Sequence, residues 1–302
     1  MTVLFALLAA VAAPVPMPVA MPIQVAPPTQ GSGQAPAIME SDPNLPTHTV
    51  YRPVNLATAG KLPVLIWGNG GCSNLGSSAR NFLTEIASHG ILVIATGPIG
   101  ELPKPKPPRT ASDPAPGDAS GVWRPKTTTP AMIRAIDWVF AENARAASRY
   151  KGRIDTAHVA VAGHSCGGLL ALDASADPRV TTTIVMNSGA LNDGRKPEGI
   201  DATKDGLKRL HGPILYVTGG KGDVAFPNAT DDVARIHHVP VFHLDRDAGH
   251  SGTYSQTDGG AYGQVASAWL AWRLKGDRDA AAIFLDDGIV KRDPQWRLTA
   301  HY

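Results

Sequence analysis

The chain has 302 residues, a formal net charge of +2 and 43% hydrophobic residues, enough to bury a sizeable core in one large α/β domain. A near-neutral balance gives no global basic excess for nucleic acid. The one short cationic stretch, "KPKPPR" with Lys104, Lys106 and Arg109, has the pattern of a solvated loop.

The N-terminus, "MTVLFALLAAVAA", is an uncharged apolar run ending in small residues at Ala12 and Ala13. It is too short to span a bilayer and reads as the core and cleavage site of a secretory signal over residues 1–13, although the usual positive start is missing. Residues 14–46 are rich in Pro, Gly and small residues without a sustained period, so an extended, mobile lead-in is expected, with the folded domain over 47–302.

From there strand-like and helix-like segments alternate. "LPVLIWG" (62–68), "ILVIATG" (91–97), "AHVAVAG" (157–163), "VTTTIVMN" (180–187), "PILYVTGG" (213–220) and "VPVFHLD" (239–245) are short apolar runs rich in Val and Ile, the pattern of parallel strands buried on both faces. Helices are expected at 78–90, closing at Gly90, at 131–147, where Met132, Ile133, Ile136, Val139 and Phe140 form one stripe, and at 166–176. Such alternation predicts a single-domain, doubly wound, mostly parallel sheet with helices on both faces. A proline-rich insert, 98–130, is expected at the carboxyl edge of that sheet, where open α/β folds bind ligands.

Within this frame "GHSCG" is a G-x-S-x-G motif, with Gly163, Ser165 and Gly167 in the fixed places between a strand and a helix. Glycines are needed because a Cβ in so tight a turn would crowd sheet and helix, and the turn lifts the serine hydroxyl clear. Serine becomes a nucleophile only with a base, and the base with an acid to orient it. The order Ser, acid, His, each beyond a strand end, selects Asp223 after "PILYVTGG" and His250 after "VPVFHLD". Asp231 and Asp232 have the look of first-turn helix residues, and Asp245 and Asp247 lie on the wrong strand. His164 is expected to project away from the serine, and His211, His237 and His238 fall at the opposite edge of the sheet. For the oxyanion, one N–H belongs to Cys166. The other comes from the glycine-rich loop "WGNGGCSNLG" (67–76), at Gly71 or Cys72.

From about His48 to Trp272 the chain resembles an α/β-hydrolase-fold serine hydrolase of the secreted dienelactone-hydrolase and cutinase-like polyester hydrolase branch, on "LPVLIWGNGGC", "EIASHGILVIATGP", "GHSCGG" and "DAGHSGTY". More loosely it resembles bacterial depolymerases of polyhydroxyalkanoate or poly(aspartic acid). The resemblance implies a single domain, no cofactor, and ester hydrolysis through an acyl-enzyme, with Ser165, Asp223 and His250 at the triad positions. The chain departs from the polyester enzymes at His164, where an aromatic residue is usual, and in its long insert.

The leading expectation is therefore a secreted or periplasmic carboxylic-ester hydrolase acting on a small or polymeric ester, without nucleic acid or stable membrane insertion. Trp123, Asn187, Phe226 and Tyr254 are expected as pocket walls. An amidase or depolymerase for an anionic polymer is the alternative, motivated by Lys104, Lys106, Arg109, Arg124 and Lys126 on the insert. A metal-dependent hydrolase is a third reading, from the run His243, Asp245, Asp247 and His250, weakened by the lack of a second H-x-H or H-E-x-x-H element. The only cysteines, Cys72 and Cys166, both fall at the expected oxyanion site. Two N–H groups reaching one oxygen would bring the flanking Cα atoms within disulfide range, and a bond and a pair of reduced thiols both remain open.

Overall fold

The computed structural model describes residues 29–101 and 123–302. Among these, the strands are β1 (Ala37–Glu40), β2 (His48–Pro53), β3 (Leu62–Gly68), β4 (Leu92–Thr96), β5 (Ile154–His164), β6 (Val180–Met186), β7 (Ile214–Thr218), β8 (Val241–Asp245) and β9 (Arg297–His301). The helices are α1 (Arg80–Ser88), α2 (Thr129–Ala144), α3 (Cys166–Ala174), α4 (Phe226–Arg235), α5 (Gly260–Lys275), α6 (Arg278–Ala281) and α7 (Gly288–Arg292). The strands form one sheet in the order β1-β2-β4-β3-β5-β6-β7-β8-β9. From β4 to β8 every neighbouring pair is parallel, and β1, β2 and β9 add antiparallel edges.

Strand alternation sends Val64 and Ile66 into one buried cluster, with Met132, Val139 and Leu170 from α2 and α3. Leu65 and Trp67 go to a second cluster, with Phe82, Ile86, Trp269 and Leu270 from α1 and α5. Two cores on one sheet explain the continuous apolar runs of β3, β4 and β7, since each face is covered by helices. The chain is therefore α/β with a single mostly parallel sheet, compatible with a doubly wound arrangement. Among the described residues no helix is long and apolar enough to cross a membrane.

Ordered structure begins earlier than the composition suggests. Residues 37–40, within the stretch expected to be a mobile lead-in, form β1 against β2. Ser32 donates from its amide and its hydroxyl to Glu85, and the amides of Gly33 and Ala35 donate to Ser88. These partners lie some fifty residues away, which a local composition cannot register. The expected signal segment, residues 14–28 of the lead-in, and Lys104, Lys106 and Arg109 lie outside the described residues.

The described ends of the insert meet at the carboxyl edge. The amide and hydroxyl of Thr127 donate to the Cys72 carbonyl at 3.0 and 3.1 Å, and Ser77 Oγ donates to Gly100 O at 2.7 Å. Both ends thus pack on the loop that follows β3.

Candidate active site

Ser165 occupies the turn between β5 and α3 with φ 54° and ψ −121°, a conformation rarely adopted by a residue with a side chain. The sequence permits it because the surrounding positions are glycine. A Cβ on Gly163 would overlap the carbonyl of Gly167, and one on Gly167 would overlap that of Gly68. The turn is pinned from below by the Ser165 amide donating to Met186 O of β6 at 2.9 Å.

The structure brings His250 and Asp223 to this serine. His250 Nε2 lies 2.9 Å from Ser165 Oγ, and its Nδ1 lies 2.7 Å from Asp223 Oδ1. Asp223 is 1% exposed. Burial pushes its carboxyl up, but hydrogen bonds from His250, the Ala225 amide, the Asn187 amide and the Gly219 amide outweigh it and hold the pKa at about 2. An ionised Asp223 is an acceptor only, so Nδ1 carries the imidazole proton and Nε2 is left to accept from the serine hydroxyl. The arrangement can take the proton of Ser165 as its oxygen attacks, and stabilise the resulting imidazolium.

Two backbone N–H groups, one in the serine turn and one in the loop bonded to it, lack an acceptor among the described residues. Cys166 opens α3, and its N–H has no acceptor among the described residues. In the loop after β3, the Cys72 amide closes a turn onto Asn69 O at 3.0 Å and is already committed. Gly71, with φ 62° and open space where a Cβ would stand, has no acceptor for its N–H among the described residues. Of the two candidate donors, Gly71 is the one whose N–H is uncommitted among the described residues. A disulfide joins Cys72 to Cys166, with Cα atoms 5.2 Å apart. It fastens the loop to the serine turn.

The other residues singled out by the sequence take the following places. Asn187 is fully buried, and its side chain donates to Asp223 Oδ2 at 2.8 Å, so it backs the acid instead of lining a pocket. Tyr254, 7% exposed, donates to Asn187 Oδ1 at 2.7 Å and belongs to the same network. Trp123 is half-buried against one of the two core clusters, and Phe226 begins α4 with its ring 5.9 Å from that of His243. His164 is not an idle neighbour: its Nε2 donates to the carbonyl of His250 at 2.8 Å, and its ring lies 5.3 Å from the His250 ring. Burial lowers its pKa to about 4, so it is neutral at physiological pH.

The other carboxylates have partners of their own. Asp231 and Asp232 lie in the second turn of α4, not the first, and both meet Lys204. Asp245 and Asp247 are clamped by Arg297 of β9. In the H-x-D-x-D-x-x-H run, His243 contacts Thr218 at 2.8 Å while His250 is engaged with Ser165 and Asp223, so the four side chains do not converge. His211 and His238 bond the carbonyls of Val180 and Leu210, toward the amino ends of the strands. Arg124 pairs with Glu198 at 2.9 Å.

Sequence reasoning missed Asn69, which is fully buried, accepts from Trp67 Nε1 at 3.1 Å and donates to Ser73 O at 3.2 Å, shaping the loop around Gly71. It also missed the role of Asn187. Its one local signal is an asparagine directly after a strand, here at φ 46°, since Asn tolerates the left-handed region better than most residues. No protein-family model and no curated protein matches the chain.

Proposed function

We propose that the chain is a serine hydrolase of the α/β-hydrolase fold that cleaves carboxylic esters through an acyl-enzyme. One observation carries the reading: a serine held at φ 54° on a strand-to-helix turn, 2.9 Å from the Nε2 of a histidine whose Nδ1 lies 2.7 Å from a buried carboxylate. A strained, half-buried serine with an oriented base has no packing role that a smaller residue would not fill better.

In this reading Ser165 Oγ adds to the ester carbonyl while His250 Nε2 takes its proton. Asp223 holds the imidazolium, and the amides of Cys166 and Gly71 receive the developing oxyanion. Collapse expels the alkoxide, which takes the proton from His250 and leaves as the alcohol. Water, deprotonated by the same Nε2, then adds to the acyl group, and Ser165 departs with the proton restored. No step calls on a cofactor. The disulfide supports an oxidising, extracytoplasmic setting, in keeping with the apolar N-terminal run.

Hydrolysis of p-nitrophenyl esters of graded acyl length tests the proposal. Ser165→Ala is expected to lose at least about 10³-fold in kcat at unchanged fold. Full activity in that variant would sink the reading.

A further inference from the structure

Asn187 sits where three pieces of the site meet. Its backbone follows β6, and its amide donates to Val217 O of β7 at 2.7 Å. Its Nδ2 donates to Asp223 Oδ2 at 2.8 Å and to Gly249 O at 3.1 Å, the residue before His250. Its Oδ1 accepts from Tyr254 at 2.7 Å, on the loop that carries His250. One side chain therefore touches both the acid and the two flanks of the base loop.

The chemistry of the amide matters as much as its shape. Asp223 Oδ1 is occupied by His250 and the Ala225 amide, while Oδ2 depends on Asn187 and the Gly219 amide. Without Asn187 the carboxylate could rotate about χ2 and swing Oδ1 off the imidazole. A carboxamide can also be flipped, which would aim its oxygen at Oδ2. Tyr254, whose hydroxyl proton needs an acceptor in a buried position, fixes the orientation: Oδ1 toward the phenol, Nδ2 toward the carboxylate.

We propose that Asn187 is a positioning residue of the triad, its Tyr254-oriented amide clamping Asp223 and the His250 loop in register. The chemical consequence rests on the hydrolase reading above, whereas the clamp itself is a matter of geometry. The groups facing it are Asp223 from the acid turn, Tyr254 from the base loop and Tyr262 from α5, whose hydroxyl lies 3.4 Å from Nδ2. His250 is faced by Ser165, Asp223 and the neutral His164 ring.

The test uses the full chain carrying Asn187→Ala, the isosteric Asn187→Asp, or Tyr254→Phe, with melting temperatures recorded and kcat counted per fluorophosphonate-titrated site. Asn187→Ala is expected to lower kcat about 10- to 100-fold at a KM within about twofold. The wild type is expected to show a downfield His250 Nδ1 proton by NMR, and this resonance should vanish in the variant. In Asn187→Asp the donor becomes a second carboxylate. Its deficit relative to wild type should be largest at high pH and shrink as pH falls, when the added carboxyl takes up a proton and can again donate to Oδ2. If Asn187→Ala fails to fold, Tyr254→Phe carries the test through a kcat about tenfold lower at unchanged KM. A residue that only fills space would shift the melting temperature while leaving the proton resonance and kcat per site in place, and the deficit of Asn187→Asp would not vary with pH. Those results would overturn the proposal. A wild type that neither hydrolyses esters nor takes the label would refute the hydrolase reading, and the NMR comparison, which needs no turnover, would still decide the clamp.

Discussion

Cys72 and Cys166, the only cysteines of the chain, are bonded to each other across 94 residues of sequence, and of the two backbone donors of the candidate oxyanion site one is Gly71, next to Cys72, and the other is Cys166 itself. The loop after β3 is rich in glycine and would otherwise sample many conformations, so the bond holds Gly71 against the turn that carries Ser165.

This tether has a chemical signature. Thiol titration of the denatured, unreduced protein is expected to find no free thiol. Reduction should lower kcat by more than it raises KM, because the donors act on the transition state more than on the bound ester. Two titratable thiols would contradict the pairing. In the chain-entropy picture a loop of this length is worth roughly 4 to 5 kcal/mol, so the reduced protein should also melt at a lower temperature.

The serine turn tolerates no side chain at Gly163, where a Cβ would meet backbone atoms of Gly167 and Gly168 that cannot retreat. Gly163→Ala is expected to cost about 3 kcal/mol or more in denaturant unfolding. Gly222→Ala, where a Cβ meets nothing, should stay within about 0.5 kcal/mol of wild type. Equal stability of the two variants would mean that the turn is not packed as described.

Much of the architecture could be read from the chain itself. The six central strands announce themselves because a strand covered on both faces must be apolar throughout, and Gly163, Ser165 and Gly167 because a sharp turn restricts residue type. The edges are less legible for the same reason. β2 reads HTVYRP, and its polar residues are buried only because distant partners satisfy them: His48 meets Ala131 O, Thr49 donates to Gly97 O, and Arg52 pairs with Glu40. α5 shows no clear stripe in the sequence, since its buried face mixes Gly263 and Ser267 with Trp269, Leu270 and Leu274. Asn69, His164 and Asn187 act through contacts made by the fold, and no spacing rule points to them.

Stability should fall in mild acid. Burial holds His243 and His164 at about 4, below the ordinary 6.5, so the unfolded chain takes up protons between these values while the folded protein does not. Their contribution is complete above pH 6.5 and is lost as pH falls through that window. Asp232 opposes them: burial raises it to about 6 from 3.8, so its contribution is present below 3.8 and lost as pH rises through about 6. Melting temperatures from pH 7 to 4.5 are expected to decline in the wild type, less steeply in His243→Gln and more steeply in Asp232→Asn. Parallel profiles in all three would show that these groups do not set the slope.

In the proposed function Ser165 is the nucleophile, activated by His250. The most direct measurement is reaction with a fluorophosphonate followed by peptide mapping, in the wild type and in His250→Ala. Stoichiometric label on the peptide containing Ser165 is expected, formed at least about 10³-fold more slowly once His250 is removed. Label on another residue, or equal rates in the two proteins, would contradict it.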